Sequence, residues 1–326
     1  MGLSFAALIL TLGPAVGQAP GRPGQEGEAL EIAVGAYLLD LIDINDVEKT
    51  FTADFVIGLE WRDPRLADPR IEDEREIPLD RAWHPEIAVL NERSLTPKLR
   101  PYLLVEPDGH VRYAQRYLGT FSVALDLADF PFDHQVLPVE IVVARYKPKD
   151  IVCVPNEKKI GREKEMSITG WQVKTATVVP GVKKFRVQGV ELAAVYVHMK
   201  VSRERWFYIW KIIFPLVLIV FMSSAVFWIP PSLIPSQIAI ATASVLTLIA
   251  FYLTIGTLLP RISYMTRMDF FVIGCTAIVF LAFGEAVTTG YLASSDRVAQ
   301  ARKLDRWARV VFLVVFAMVA VLAFLT

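Results

Sequence analysis

IIFPLVLIVFMSSAVFWIPPSLIPSQIAIATASVLTLIAFYLTIGTLLP, residues Ile212–Pro260, runs 49 residues without one Asp, Glu, Lys, Arg or His. A transmembrane helix needs about 20 apolar residues, so the stretch is too long for one span and long enough for two. Its divider is Ile229-Pro230-Pro231-Ser232-Leu233-Ile234-Pro235, where three prolines break helix and withhold backbone donors. Two more apolar runs follow, Phe270–Leu292 and Trp307–Leu325. The chain is therefore expected to carry a membrane domain over 205–326, with spans at 206–228, 235–258, 269–292 and 306–326 and a short linker at 293–305.

Charge is distributed to match. Thirty of the 34 acidic residues and 25 of the 34 basic ones fall in residues 1–204, leaving the last third nearly charge-free. A polar, mildly acidic domain joined to an apolar bundle fits neither a disordered chain nor a nucleic-acid binder. The four His and two Cys, Cys153 and Cys275, have no spacing that suggests a zinc site or a disulfide framework, so neither a metal nor a cofactor is expected.

Residues 1–17 have the length of a secretory signal peptide, with an apolar run Leu3–Leu12 and small residues Ala15 and Gly17, although no Lys or Arg precedes the run. Residues 18–27 form a Pro/Gly-rich tether. Arg297, Arg302, Lys303, Arg306 and Arg309 cluster between and beside the last two spans, against Asp296 and Asp305. Positive charge favours the cytoplasmic side, which places this linker inside and the N-terminal domain and the C-terminus outside. The expected location is a bacterial inner membrane, multi-pass, with both termini on the periplasmic side.

The outer domain, 28–204, reads as strands. Val190–Arg203 alternates Ala193, Val195, Val197, Met199 and Val201 with His198, Lys200 and Ser202. Trp171–Val179, Val111–Leu118, Phe51–Glu60 and Leu137–Tyr146 are further strand candidates, with a short helix ahead of Phe51. Turn signals stand at Pro107-Asp108-Gly109, Lys147–Asp150 and Val179-Pro180-Gly181. Many short strands of this kind predict an extracellular β-sandwich, immunoglobulin-like in architecture. No phosphate-binding, nucleophile-elbow or zinc-protease motif is present, no carboxylate pair is singled out by spacing, and no catalytic residue is assigned.

The stretch Leu125-Asp126-Leu127-Ala128-Asp129-Phe130-Pro131-Phe132-Asp133-His134-Gln135 resembles the signature loop of pentameric ligand-gated ion channels. Cysteines bracket that loop in animal members; Val123 and Leu137 stand at the matching positions, so the chain resembles a prokaryotic member. Trp61-Arg62-Asp63-Pro64-Arg65-Leu66, Trp83-His84-Pro85-Glu86 followed by Asn91, Arg203 ahead of the first span, and Leu259-Pro260-Arg261-Ile262-Ser263-Tyr264-Met265 match the family in order over about residues 28–326. The resemblance implies a homopentamer with an ectodomain sandwich of about ten strands, four membrane helices, and a pore lined by the second helix. It leaves the isomer at Pro131 open.

One helix bundle offers ions no path through about 30 Å of hydrocarbon, whereas identical helices around a closed axis do. Hydroxyls at Ser236, Thr242, Ser244, Thr247, Thr254 and Thr257 mark the second span as the lining candidate, although they serve equally well as contacts between helices. Periodicity does not choose the face. The family register turns Ser236, Ala239, Ala243, Leu246, Ala250, Leu253 and Thr257 toward the axis, with Leu246 and Leu253 forming apolar rings that close by dewetting. Pro235-Ser236-Gln237 at the inner mouth is uncharged and resembles anion-selective members, while a formal −5 per ectodomain concentrates cations. Cation selectivity is expected, with an anion channel as the alternative and monovalent ions as the permeating species.

For coupling, the resemblance implies Asp46, Asp133 and Arg203 as a charged clamp, His134 as a titrating neighbour, and Pro260, Arg261 and Tyr264 as the receiving loop. The aromatic ligand box of animal members carries over poorly. Tyr113, Tyr146 and Phe185 remain as candidates for holding a small amine or carboxylate, and protons are the competing agonist. The other functional class is a non-conducting membrane receptor or adhesion module on the same scaffold. The expected partners are four identical subunits, membrane lipid and permeating ions, with no nucleic acid.

Overall fold

The computed structural model describes residues 21–24, 27–185, 189–256 and 262–324. The expected signal peptide, 1–17, lies outside them, as do Thr257, Pro260 and Arg261 and part of the tether. The chain divides into two compact units: one ends at Leu125 and resumes over His134–Ser202, and the other combines Asp126–Asp133 with Arg203–Thr326.

The first unit is a β-sandwich. Its strands are β1 (Leu30–Asn45), β2 (Thr50–Arg62), β3 (Arg75–Ile77), β4 (Ile87–Val89), β5 (Glu92–Pro97), β6 (Leu103–Val105), β7 (His110–Ser122), β8 (His134–Val143), β9 (Ile151–Arg162), β10 (Trp171–Phe185) and β11 (Val190–Arg203). One sheet has the order β3-β6-β7-β2-β1-β9 with β5 added on β7, and the other has the order β10-β11-β8-β4. Alternation decides which side chains fill the space between them. Leu137, Val139, Ile141 and Val143 of β8 and Val195, Val197, Met199 and Val201 of β11 are buried in one core with Phe51, Phe55 and Phe121 from the seven-stranded sheet. Asn91 ties the sheets by donating Nδ2 to Ser122 O of β7 and Pro138 O of β8, at 3.0 and 2.8 Å.

Two sequence expectations fail in this unit. Residues 30–45, ahead of Phe51, form a 16-residue strand rather than a helix, because Ile32, Val34, Ala36 and Leu38 bury on alternate positions. Val179-Pro180-Gly181 is no turn but lies inside β10. β10 ends its sheet, and an edge strand tolerates a proline that cannot donate. Gly181 is required by its neighbour: a Cβ there would stand 2.7 Å from Tyr196 Cε2.

Among the described residues the second unit holds four helices long and apolar enough to cross a membrane: α1 (Trp206–Trp228), α2 (Ile234–Ile255), α3 (Arg267–Ser294) and α4 (Val298–Phe324). α1 has a π turn at Ile209–Ile213 just before Pro215. Proline lacks the N–H for an α bond and its ring crowds the carbonyl four residues back, so a wider turn at that point relieves the conflict. Trp206 and Trp210 are exposed near the start of α1, and Trp228 at its end and Trp307 on α4 are exposed as well. The expected linker at 293–305 contracts, since α4 begins at Val298 rather than 306. Gln300, Ala301, Arg302, Lys303 and Leu304 are good helix formers with no Gly or Pro among them, so polarity moves the segment out of the hydrocarbon without ending the helix.

α2 buries Gln237, Ala241, Ser244, Leu248 and Ile255 as one stripe at helical spacing. Gln237 is fully buried and donates Nε2 to Ile229 O at 2.9 Å, fastening the proline-rich turn to the start of the helix.

Candidate functional site

The second unit includes the eight-residue loop Asp126–Asp133, and the loop is seated by the helices' own needs. A helix begins with N–H groups that have no partner within it. At the start of α3, Thr266 and Asp269 form a reciprocal capping box. The next two donors go to the loop: Arg267 N to Ala128 O at 3.0 Å and Met268 N to Phe130 O at 3.2 Å. Arg267 Nε donates to Asp129 Oδ1 at 2.7 Å, and the Tyr264 hydroxyl accepts from Leu127 N at 2.9 Å.

The far end of the loop is fixed by charge. Arg203 Nε and Nη2 approach the two oxygens of Asp133 at 2.8 and 3.3 Å, and both side chains are at least 96% buried. Such a fork holds direction as well as distance. The guanidinium carbon also stands 4.9 Å from the centre of the Phe130 ring, which meets Tyr208 edge-on at 4.8 Å. Phe130–Pro131 is a cis peptide. Phe132 packs against Phe324 near the end of α4, centroids 5.6 Å apart.

Asp133 is followed by His134 and Arg203 is preceded by Ser202, so this ion pair joins two of the points where the chain passes from one unit to the other. Of the residues assigned to coupling, Asp133, Arg203 and Tyr264 all engage the loop or close it. Asp46 lies in the turn between β1 and β2 of the first unit, and His134 is exposed at the first position of β8. Sequence reasoning passed over Tyr208, Asp129, Arg267 and the capping pair. Thr266-x-x-Asp269 ahead of an apolar run was a readable helix-start signal; the rest required the fold.

On α2, Ser236, Ala239, Ala243, Leu246, Ala250 and Leu253 are all exposed on the subunit, opposite the stripe that packs inward. Leu246 and Leu253 are 61% and 74% exposed, so neither is covered by its own subunit. The hydroxyls divide. Ser244 is buried and bonds Ile240 O, while Thr247 and Thr254 bond the carbonyls of Ala243 and Ala250, so each is satisfied on its own helix.

Of the three aromatic ligand candidates, Tyr113 and Tyr146 pack against the main core and Phe185 against a separate cluster. Tyr113 of β7 lines a cavity of about 420 Å³ with Tyr37, Tyr102, Arg100, Arg112 and Lys159. Tyr146 packs against the main core, its hydroxyl accepting from Trp83 Nε1 at 2.8 Å. Phe185 packs on a separate cluster of Val142, Leu192 and Ala194. Among the described residues no group of three or more His, Cys, Asp or Glu could hold a metal ion.

Comparison with known proteins brings these features together. Residues 18–205 match the neurotransmitter-gated ion-channel ligand binding domain, and residues 212–313 match the neurotransmitter-gated ion-channel transmembrane region. The chain is 27% identical over 302 residues to a proton-gated ion channel of Gloeobacter violaceus, covering 91% of this chain and 84% of that one. It is 24% identical over 297 residues to a rat gamma-aminobutyric acid receptor rho-2 subunit and 23% identical over 299 residues to the human rho-3 subunit, covering 88% of this chain in each case. It spans 63% and 64% of the length of those two receptor subunits.

Proposed function

Since the chain belongs to the family of neurotransmitter-gated ion channels, we propose that five copies form a closed ring around α2 and conduct monovalent ions when an extracellular signal opens the pore. The observation that carries this reading is the uncovered stripe of a charge-free helix, Ser236 through Leu253, which each subunit leaves exposed while packing the opposite face inward. A ring of five would give that stripe water to face and would bring Leu246 and Leu253 together as apolar constrictions that close by dewetting. The N-terminal unit and the C-terminus lie on the periplasmic or extracellular side in this reading, with the Arg/Lys cluster near residues 297–309 on the cytoplasmic side.

The signal is a proton or a small amine or carboxylate. The Gloeobacter relative is a proton-gated channel, which favours the proton. Tyr113 and Tyr146 pack against the main core and Phe185 on a separate cluster, so a site composed of all three would draw on faces of adjacent subunits. Cations are the proposed permeant species, because residues 1–204 carry 30 acidic against 25 basic side chains. Asp133 and Arg203 would transmit the signal as a rigid unit, with Asp46, His134, Pro260 and Arg261 as further coupling residues.

The test is current from purified protein in planar bilayers over a range of pH, with the reversal potential measured in a salt gradient. Current that turns on with acidification and reverses near the cation equilibrium potential is the expected result. Reversal near the anion potential overturns the selectivity, and silence from intact pentamers at every pH and with every small amine or carboxylate tried favours a non-conducting receptor. Leu246→Thr places five hydroxyls at the constriction and is expected to shift opening toward weaker stimuli. Unchanged gating in that variant would dismiss the pore register.

A further inference from the structure

Glu285 stands inside the apolar stretch of α3, and Thr289 follows one helical turn later. Across from them on α4 is Asp305, only 2% exposed, while Thr289 is 0% exposed. The threonine hydroxyl lies 3.0 Å from Glu285 Oε1 and 3.2 Å from Asp305 Oδ1. Glu285 Oε2 is buried and has no hydrogen-bond partner.

Counting hydrogens shows what is missing. Thr289 owns one hydroxyl proton and can donate to one carboxylate. The second short contact on the same oxygen becomes a hydrogen bond only if the other carboxyl brings a proton of its own. Two ionised carboxylates at this separation, shielded from water, also repel without compensation.

Among the described residues no cation fills the gap. On α4, Arg309 is engaged by Phe227 O, at 3.0 Å, and by the Trp228 ring, 4.3 Å away. Arg306 donates to Arg302 O, and Arg302, Lys303 and Arg306 are exposed. The segment Ala225–Trp228 of α1, which packs on both helices, has no titratable side chain. On α3, the other titratable groups are Arg267, Asp269, Cys275 and Tyr291; Arg267 and Asp269 are committed to the helix start, Cys275 is buried and Tyr291 is exposed. Among the described residues neither Glu285 nor Asp305 has an ion pair. Beside them is an apolar cavity of about 290 Å³ whose walls include Leu281, Leu304, Trp307 and Phe312 as well as the Glu285 side chain.

We propose that Glu285, Thr289 and Asp305 form a proton-loaded latch, one proton per subunit, that holds the start of α4 against α3 and releases when that proton is lost. With the proton in place, one carboxyl donates to the threonine oxygen and the threonine donates to the other, so every short contact is a hydrogen bond. Without it, two negative charges face each other across the helix seam. The adjoining cavity then offers water and the displaced side chains room to enter. This site lies in the membrane unit and does not depend on protons being the agonist, because its loading is readable in a channel that never opens.

The experiment is infrared difference spectroscopy on the full-length protein in lipid nanodiscs, titrated from acid to alkaline pH in H2O and D2O. A protonated-carboxyl stretching band that persists at neutral pH, shifts in D2O and disappears in both Glu285→Gln and Asp305→Asn is the expected result. Absence of the band in the unmodified protein at neutral pH, or its survival in both variants, overturns the proposal. Hydrogen exchange of residues 298–309 supplies the second measurement. Protection should fall on alkalinisation in the unmodified protein and stay level in Glu285→Gln, where the amide supplies a permanent donor. Equal pH dependence in the two proteins would show that no proton holds this seam. If Glu285→Gln does not assemble, Asp305→Asn carries both readouts.

Discussion

At its N-terminus α3 meets the loop 126–133 through opposite charges and fully assigned donors, whereas toward its C-terminus it meets α4 through two groups of the same sign. In the first region Arg203 stands against Asp133, Arg267 against Asp129, and the orphan helix amides against loop carbonyls. In the second, Glu285 and Asp305 share a single hydroxyl. One helix therefore carries a contact that is complete as folded and another that needs something from solution. In the proposed channel the first contact would transmit and stay rigid, while the second would respond to protons.

Removing the complete contact should have the largest effect. Arg203→Ala takes the guanidinium fork from a buried Asp133, and the loss of one partner from a buried ion pair costs about 3–5 kcal/mol. Assembled protein with little or no evoked current is the expected outcome in patch recordings with surface labelling. Normal activation would remove the pair from the mechanism. Arg203→Lys keeps the charge but not the fork, and should restore assembly more fully than gating.

Tyr264→Phe deletes one hydrogen bond to Leu127 N, worth about 1 kcal/mol. Its rightward shift of the activation curve should be several-fold, and a wild-type curve would show that the loop is held without it. Arg267→Ala should matter less still, because its partner Asp129 is 61% exposed and such pairs contribute under about 1 kcal/mol. A loss as large as that of Arg203→Ala would erase the contrast between buried and exposed members of the same seat.

The smallest expected effect lies in the sandwich. Burial, assisted by Lys200 and opposed by Glu140, holds the His198 imidazole below its ordinary value of 6.5. The unfolded chain then binds this proton more tightly than the folded one. The resulting stability is present above pH 6.5 and is lost as pH falls through the lower folded value. His198→Gln should slightly flatten the acid limb of thermal stability, measured by calorimetry, and an unchanged limb would assign it to carboxylates. His134→Gln is the companion control: if the exposed His134 contributes to gating, the variant's activation curve should differ from that of the unmodified protein.

The membrane helices could be read because charge-free runs and prolines leave few alternatives, and β11 could be read because its alternation faces one core. β10 misled because Pro180-Gly181 signals a turn locally, while a sheet edge accepts the same dipeptide. The start of α4 was set too late because polarity was taken as the end of helix, although Gln300 through Leu304 favour helix wherever they lie. The loop seat was half legible: Asp133 and Arg203 stand in recognisable motifs, but Tyr208 and Arg267 become its partners only through folding. Glu285 gave a signal as a lone acid in an apolar span, which is costly unless paired. Its partner, Asp305, is in another helix and looked like part of a solvated charge cluster.

The tryptophans of α1 act as a ruler. Trp206 and Trp210 are exposed near the start of one helix and Trp228 at its end, and 22 or 18 steps at about 1.5 Å put them roughly 33 or 27 Å apart along its axis. Indole rings settle at the boundary between headgroups and hydrocarbon. The protein thus carries its own preferred bilayer thickness, around the roughly 30 Å of an ordinary hydrocarbon core. In lipids with longer chains it would have to tilt or thin its surroundings, so acyl-chain length becomes a variable that sets how readily this molecule rearranges.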